Sequence, residues 1–375
     1  MRGWCDVTEI RSGAGILATQ PPDEPFANEH DQATWLEAAR RIAAIAEADL
    51  SDQPGWMTLR GSGERFFVPR DTLLVPEAHA LGITRVSQFF GGAVPARFVA
   101  TKAISHGLVS PDARAPEGWC AALAASLGDA VLRGYTAFAV EDARRAGRLM
   151  LPEGAVRLKE VEATSGQGQT VVSTPAELDA ALAEIDPARL ESDGLVIEEN
   201  LAEVETFSVG VVALPGSSLA YWGMQRLTRN NTGDVAYGGS QLHVVRGGFA
   251  ELGCELLRHD RAEAVAKAHA YDEAVFAAYP GLFASRRNYD VAEGRAADGT
   301  TRIGVLEQSW RIGGATGAEI AAFEYLQAHP ERAGVTCATV EIYGAVDAAP
   351  PGAAVYYSGV DPVAGPLTKY AEILD

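Results

Sequence analysis

Val305-Leu306-Glu307-Gln308-Ser309-Trp310-Arg311-Ile312-Gly313-Gly314-Ala315-Thr316-Gly317-Ala318-Glu319 is the stretch that decides how this chain is read. It opens as an apolar strand. Side chains on a strand alternate between faces, so Glu307, Ser309 and Arg311 fall on one side before Gly313 and Gly314 break the run. Oxygen ligands followed by a cation suit a hard divalent ion with an anion beside it, since such ions prefer oxygen donors and a guanidinium grips phosphate or carboxylate. The same residues also occur as a salt-bridged strand face, so partners elsewhere in the chain have to decide.

Just upstream, Asn288 to Glu293 and Arg302 to Trp310 flank Ala297-Asp298-Gly299-Thr300, and the three pieces read as a β-hairpin. Further back, Val156 to Lys159 reads as a strand that enters the polar loop Ala163-Thr164-Ser165-Gly166-Gln167-Gly168-Gln169 and returns through Thr170-Val171-Val172. Lys159 and the loop's backbone N–H groups could surround a phosphate. This is not a Walker loop, because no G-x-x-x-x-G-K-[ST] occurs and the loop returns into a strand instead of opening a helix. Thr174-Pro175-Ala176-Glu177 then starts a helix with a Thr cap, Pro at the first helical position and Glu three residues after the cap. Strands follow at Leu195 to Glu199, Thr206 to Leu214 and Leu219 to Arg226, and a helix runs from Arg261 to Tyr279. Tyr237-Gly238-Gly239-Ser240 reads as a loop or turn near the substrate.

The N-terminal third carries an amphipathic helix from Asp31 to Leu50, strand text from Arg65 to Leu74, and a helix or turn plus strand from Ala78 to Val86. The tail from Val335 to Asp375 is short strand text broken by Pro and Gly, with no legible purpose.

Composition bounds the partners. A chain of 375 residues exceeds one ordinary core, and 47% apolar residues mark it as folded. A net charge of -19 argues against nucleic-acid or anionic-membrane partners. Cys5, Cys120, Cys254 and Cys337 are scattered without metal or disulfide spacing, which implies buried thiols in a reducing compartment. With no secretory h-region at the start and no run near the roughly 20 apolar residues of a membrane span, the expected location is cytoplasmic.

The order of elements resembles the ATP-grasp superfamily: lysine strand, glycine hairpin, capped helix, apolar strand ending in Glu198-Glu199, then a hairpin carrying Asp290 and Glu307-x-Ser309-x-Arg311. The resemblance covers roughly Thr101 to Phe323, and the whole chain resembles a bacterial family of ATP-grasp-like proteins. It implies an α+β fold in which two α+β subdomains grip ATP, preceded by a small α/β lobe. The divisions expected are 1–105 for that lobe, 106–330 for the grasp (lid about 125–203, C-terminal subdomain about 204–330) and 331–375 for a C-terminal extension.

Residue by residue, the resemblance implies that Lys102 and Lys159 contact ATP phosphates, and that the hairpin with Ser165, Gly166, Gln167 and Gly168 folds over them. Glu198, Glu199 and Leu201 match the adenine hinge, and Glu205 the ribose-binding acid. Asp290 and Glu307 match the carboxylates that hold Mg2+, with Glu293 a rival for the first position, and Arg311 matches the cation beside the transferred phosphoryl group. The family usually has Asn where Ser309 stands, and a hydroxyl is a poorer metal ligand than an amide carbonyl. The hairpin is about two residues longer on each arm, and an even insertion keeps both carboxylates on their original face because side chains alternate with period 2.

Arg226, Arg286 and Arg287 could hold a substrate carboxylate, or form surface salt bridges. Biotin carboxylase keeps an acid shortly after the metal-site Arg, whereas Gly313-Gly314-Ala315 stands here, which disfavours bicarbonate activation. The expected activity is an ATP- and Mg2+-dependent ligation of a small-molecule carboxylate to an amine, with a possible homodimer. The alternatives are an ATP-grasp kinase and a nucleotide-binding sensor or scaffold without turnover.

Overall fold

The structure is a computed structural model that describes residues 26, 28–51, 56–161, 168–256 and 261–374, so Cys5 and the loop residues Ser165, Gly166 and Gln167 lie outside it. Asn28 starts helix α1 (Glu29–Ile45) by accepting the Asp31 amide, and Trp35, Ala38, Ala39, Ile42 and Ala43 form its buried stripe. The helix stops short of the expected Leu50. Glu47 takes a positive φ, and β1 (Ala48–Leu50) pairs with β2 (Trp56–Leu59), which pairs with β3 (Arg65–Phe67). β4 (Leu73–Leu74), α2 (Val75–Ala80) and β5 (Gly92–Val94) follow; the strand expected before Val86 is a 3-10 turn at Val86–Gln88.

After α3 (Leu123–Leu127), a smaller subdomain is built from β6 (Gly134–Ala137), α4 (Val140–Met150), β7 (Val156–Glu160), β8 (Gln169–Val172), α5 (Pro175–Ala183), α6 (Pro187–Asp193) and β9 (Leu195–Glu199). Its antiparallel sheet has the order β6-β9-β7-β8. Helices α4 and α5 cover one face through Ala143, Ala146, Met150, Leu178 and Leu182. Thr174 caps α5 as its sequence implies, accepting the Glu177 amide, but the Glu177 carboxylate accepts from Ser173 N–H one residue earlier than a capping box requires.

The larger sheet begins with β10 (Ala202–Leu214), β11 (Ser217–Arg229) and β12 (Val235–Arg246). Helices α7 (Phe249–Leu256) and α8 (Ala262–Ala278) follow, then β13 (Phe283–Ala284), β14 (Arg286–Arg295), β15 (Thr301–Ser309), α9 (Thr316–Ala328), β16 (Gly334–Tyr343), β17 (Ala354–Asp361) and β18 (Gly365–Ile373). Eight of these strands form one sheet in the order β15-β14-β10-β11-β12-β16-β18-β17. Phe207, Val209, Val211, Tyr289 and Val291 pack toward α7 and α8 on one face. Val212, Leu214, Tyr221, Leu242 and Val244 pack toward α1 and α9 on the other. The two α+β subdomains are those that the ATP-grasp resemblance implies. No helix among the described residues is long and apolar enough to cross a membrane.

Two sequence expectations change here. Tyr237-Gly238-Gly239-Ser240 lies inside strand β12 and not in a loop. Gly239 has φ +130 beside the register shift in the β11–β12 ladder, and a Cβ there would lie 2.0 Å from the Thr339 carbonyl oxygen. The glycine pair is a bulge and a close approach, not a turn. The tail supplies three strands of the main sheet, with β16 bonded directly to β12. Val335, Cys337, Tyr356 and Ala371 share one apolar core with α1 and α9, and β5 pairs with β13 in a separate three-stranded sheet. Deleting residues 334–375 is therefore expected to abolish the cooperative thermal transition seen by near-UV circular dichroism; an unchanged transition would contradict this packing.

Candidate active site

The β14–β15 hairpin aligns Asn288 with Ser309, Tyr289 with Gln308 and Asp290 with Glu307, and then steps so that Val291 faces Val305. Leu306 is the extra residue of a bulge. Counted from the turn, a regular ladder would put Leu306 opposite Asp290; the bulge puts Glu307 there instead. The facing pair expected from an even insertion is present, by a different device.

Two partly buried carboxylates stand face to face, and the shift falls on Asp290. Burial, followed by the Glu307 charge, pushes Asp290 up from 3.8 to about 6. Gln225 Nε2 donates to Asp290 Oδ1 at 2.9 Å, and the Asn288 amide approaches the same oxygen at 3.1 Å. Among the described residues no group of three or more His, Cys, Asp or Glu side chains forms a metal cluster. Two carboxylates with the neutral oxygens of Ser309 and Asn288 nearby is the donor chemistry that suits Mg2+, which keeps several waters and uses one or two carboxylates together with substrate phosphates. Glu293 drops out as the rival, because it and Glu205 are both bound by Arg261, at 2.9 and 3.1 Å. Glu205 is thus tied across the β10–β14 ladder.

Both predicted lysines are buried and bound to carboxylates. Lys102 begins a 3-10 turn capped by Thr101, is 6% exposed, and reaches Glu307 Oε2 at 3.0 Å. Lys159 meets Glu198 Oε1 at 2.5 Å, and His106 Nε2 lies 3.1 Å from the other Glu198 oxygen. Burial alone would raise Glu198; the charge of Lys159 and the His106 contact outweigh it and hold the carboxyl at about 2. Glu199 accepts the Arg133 amide at 2.9 Å, while its own amide donates to the Arg133 carbonyl. Leu201 is buried, packed where Gly294 has no Cβ. Gly168 is exposed at φ +60, and its carbonyl accepts from Glu160 N–H at the base of the glycine hairpin.

The arginines divide by strand alternation. Arg286 shares the face of Asn288 and Asp290 but is fully buried. Its Nε and Nη2 bind both oxygens of Glu319 at 2.8 Å, and its Nη1 donates to the carbonyls of Ser309 and Arg311. It anchors the loop and is not placed to grip a substrate. Arg287 lies on the opposite face, paired with Asp272 at 2.8 Å and packed by Phe249 and Phe276, so it is not at the site. Arg226 is exposed on the face of β11 opposite Tyr221 and Gln225, and donates to Gln241 at 2.8 Å; it too is away from the site. Arg311 lies beyond the end of β15, half-exposed, 3.6 Å from Asp71. It stays next to the hairpin, but on the loop and not as a third member of the strand row. That loop needs its glycines: a Cβ on Gly314 would sit 2.5 Å from the Tyr237 ring.

Gln225, Asn288, Tyr221, Glu319 and His106 were not among the predicted site residues. Asn288 alone had a signal, standing two residues before Asp290 and therefore on its face. The others arrive from distant elements.

The chain belongs to the family described as "Protein of unknown function (DUF3182)", which matches residues 18–371. No curated protein matches it in sequence. Among solved structures it is similar to the biotin carboxylase domain of 2-oxoglutarate carboxylase from Hydrogenobacter thermophilus, in complex with MgADP, ADP and bicarbonate. That match has 13% identity and a TM-score of 0.49, and covers 80% of this chain and 66% of the other, so this chain spans just under two thirds of its length. It is also similar to phosphoribosylamine–glycine ligase from Thermotoga maritima, at 14% identity, 76% and 73% coverage and a TM-score of 0.40. The D-alanine-D-alanine ligase from Coxiella burnetii matches at 14% identity, 66% and 56% coverage and a TM-score of 0.39.

The raised Asp290 carboxyl has a consequence for stability. Unfolded Asp ionises near 3.8 and folded Asp290 near 6, so the folded state holds the extra proton and stability falls as pH rises through that window. Asp290→Asn removes the penalty. In metal-free buffer the variant is expected to exceed the wild type by about 1–2 kcal/mol above pH 6.5 and to match it near pH 4. Denaturant melts at the two pH values check this, and a variant less stable at pH 7.5 would contradict it.

Proposed function

We propose that this chain is an ATP- and Mg2+-dependent ligase that activates a small-molecule carboxylate as an acyl phosphate and joins it to an amine. The observation that carries the reading is the Asp290–Glu307 pair, set face to face by the Leu306 bulge and flanked by the buried ammonium of Lys102. Facing carboxylates are costly without a cation, and Mg2+ there would neutralise phosphate oxygens of the nucleotide. Lys159, at the base of the glycine hairpin, would support the phosphates from the smaller subdomain, with the hairpin closing above them.

In the first step a substrate carboxylate oxygen attacks the γ-phosphorus and the bond to ADP breaks. In the second the amine attacks the acyl carbon, inorganic phosphate leaves, and the amine proton passes to solvent or to a nearby base. Positioning and charge neutralisation are the demands of such a reaction. Arg311 lies half-exposed on the loop after Ser309, and we assign it to the transferred phosphoryl group. Arg286 and Glu319 keep that loop in place.

One observation favours a non-catalytic nucleotide-binding reading: Lys159 already shares a buried ion pair with Glu198, which reduces the charge it offers to phosphate. Turnover separates the readings. With Mg2+, ATP, hydroxylamine and a panel of amino acids and other carboxylates, ADP and a hydroxamate are expected together for one carboxylate. ADP without hydroxamate would favour a kinase, and nucleotide binding without ADP the sensor. Glu307→Gln keeps an acceptor for Lys102 and is expected to lower ADP formation at least 100-fold while retaining the wild-type melting temperature; wild-type turnover in that variant would contradict the site.

A further inference from the structure

The Tyr221 hydroxyl lies 2.5 Å from Glu319 Oε1 and 2.9 Å from the outer end of the Asn288 amide. A hydroxyl has one proton to give, so it cannot donate to two acceptors. Glu319 is fully buried and bound through both oxygens by Arg286, so it serves as the acceptor and receives the Tyr221 hydroxyl's hydrogen bond. The Asn288 group facing Tyr221 must therefore be its NH2, donating to the tyrosine oxygen. Amide ends are told apart only by such partners.

With the NH2 turned to Tyr221, the amide oxygen of Asn288 points the other way, to the position 3.1 Å from Asp290 Oδ1. Three oxygens, from Asn288, Asp290 and Glu307, then converge on one face of the hairpin, where the register also sets Asn288 directly opposite Ser309. Oxygen facing oxygen at that separation is unfavourable unless a cation lies between them.

We infer that Asn288, held by the Tyr221–Glu319–Arg286 chain, supplies a neutral oxygen ligand to a divalent cation at the Asp290–Glu307 pair. This inference rests on the proposed Mg2+-nucleotide reading of that pair. The amide carbonyl missing at Ser309 is supplied from the neighbouring strand, one cross-strand step away. Tyr221 and Glu319 are positioning residues: Glu319 accepts the hydroxyl's hydrogen bond, and the hydroxyl fixes which end of the amide faces the metal.

The test is Mn2+ binding in the presence of ADP, read from the free-ion signal by electron paramagnetic resonance, with melting temperatures measured for every variant. Asn288→Ala is expected to weaken Mn2+ binding at least tenfold and Ser309→Ala by less than about threefold. Tyr221→Phe, which frees the amide to turn, is expected to weaken it severalfold with the three ligands intact. An Asn288→Ala variant that folds and binds Mn2+ like the wild type overturns the inference alone. So does a tenfold loss in Ser309→Ala beside a smaller loss in Asn288→Ala. A wild-type protein that binds no Mn2+ with ADP overturns the Mg2+-nucleotide reading as well.

Discussion

Like charges set face to face across two hydrogen-bonded strands are the constraint around which this structure is arranged. Asp290 and Glu307 are Cα partners on β14 and β15, brought into register by the bulge at Leu306. Such a pair is unfavourable in a sheet and more so when partly desolvated. The neighbouring residues moderate the cost without removing it. Lys102 balances Glu307, while the Gln225 amide donates to Asp290.

The support beneath the pair is a buried ion pair, and its value lies in geometry. Taking Arg286 and Glu319 out of water is expensive, and the bidentate contact with its added hydrogen bonds largely offsets that cost instead of adding much stability. What the ion pair does supply is position. Arg286 binds the carbonyls of Ser309 and Arg311, so the loop leaving β15 is attached to the first turn of α9. Tyr221 extends the same network from β11 to Asn288. Removal of either charged partner would leave the other buried and unpaired, so the arrangement is locked as a unit.

Local order was legible in the sequence because its signals are local. The cap and proline of α5, the hairpin around Gly299, and the strands of Lys159 and Glu198 each rest on patterns within a few residues. Three kinds of misreading came from non-local physics. Gly238-Gly239 resembles a turn, but the glycine is required by the Thr339 backbone on the next strand, which periodicity within one segment cannot reveal. The tail strands make sense only once β12 exists to pair with them. Arg226 and Arg287 bear the right charge for an anion, yet strand alternation puts Arg287 on the face opposite Asp290 and Arg226 on the face opposite Gln225. Tyr221 and Gln225 reach the site from one face of β11 and Glu319 from α9, and no local pattern links those elements to the Asp290–Glu307 hairpin.

The most direct measurement of the central claim is a crystal structure of the protein with Mn2+ and ADP, using the anomalous signal of manganese to place the ion. The account predicts a single strong peak at coordination distance from Asp290, Glu307 and the Asn288 amide oxygen, with the ADP phosphates on its open side and Lys159 toward them. A nucleotide bound elsewhere, or one bound at the cleft with no manganese at the Asp290–Glu307 pair, would contradict it.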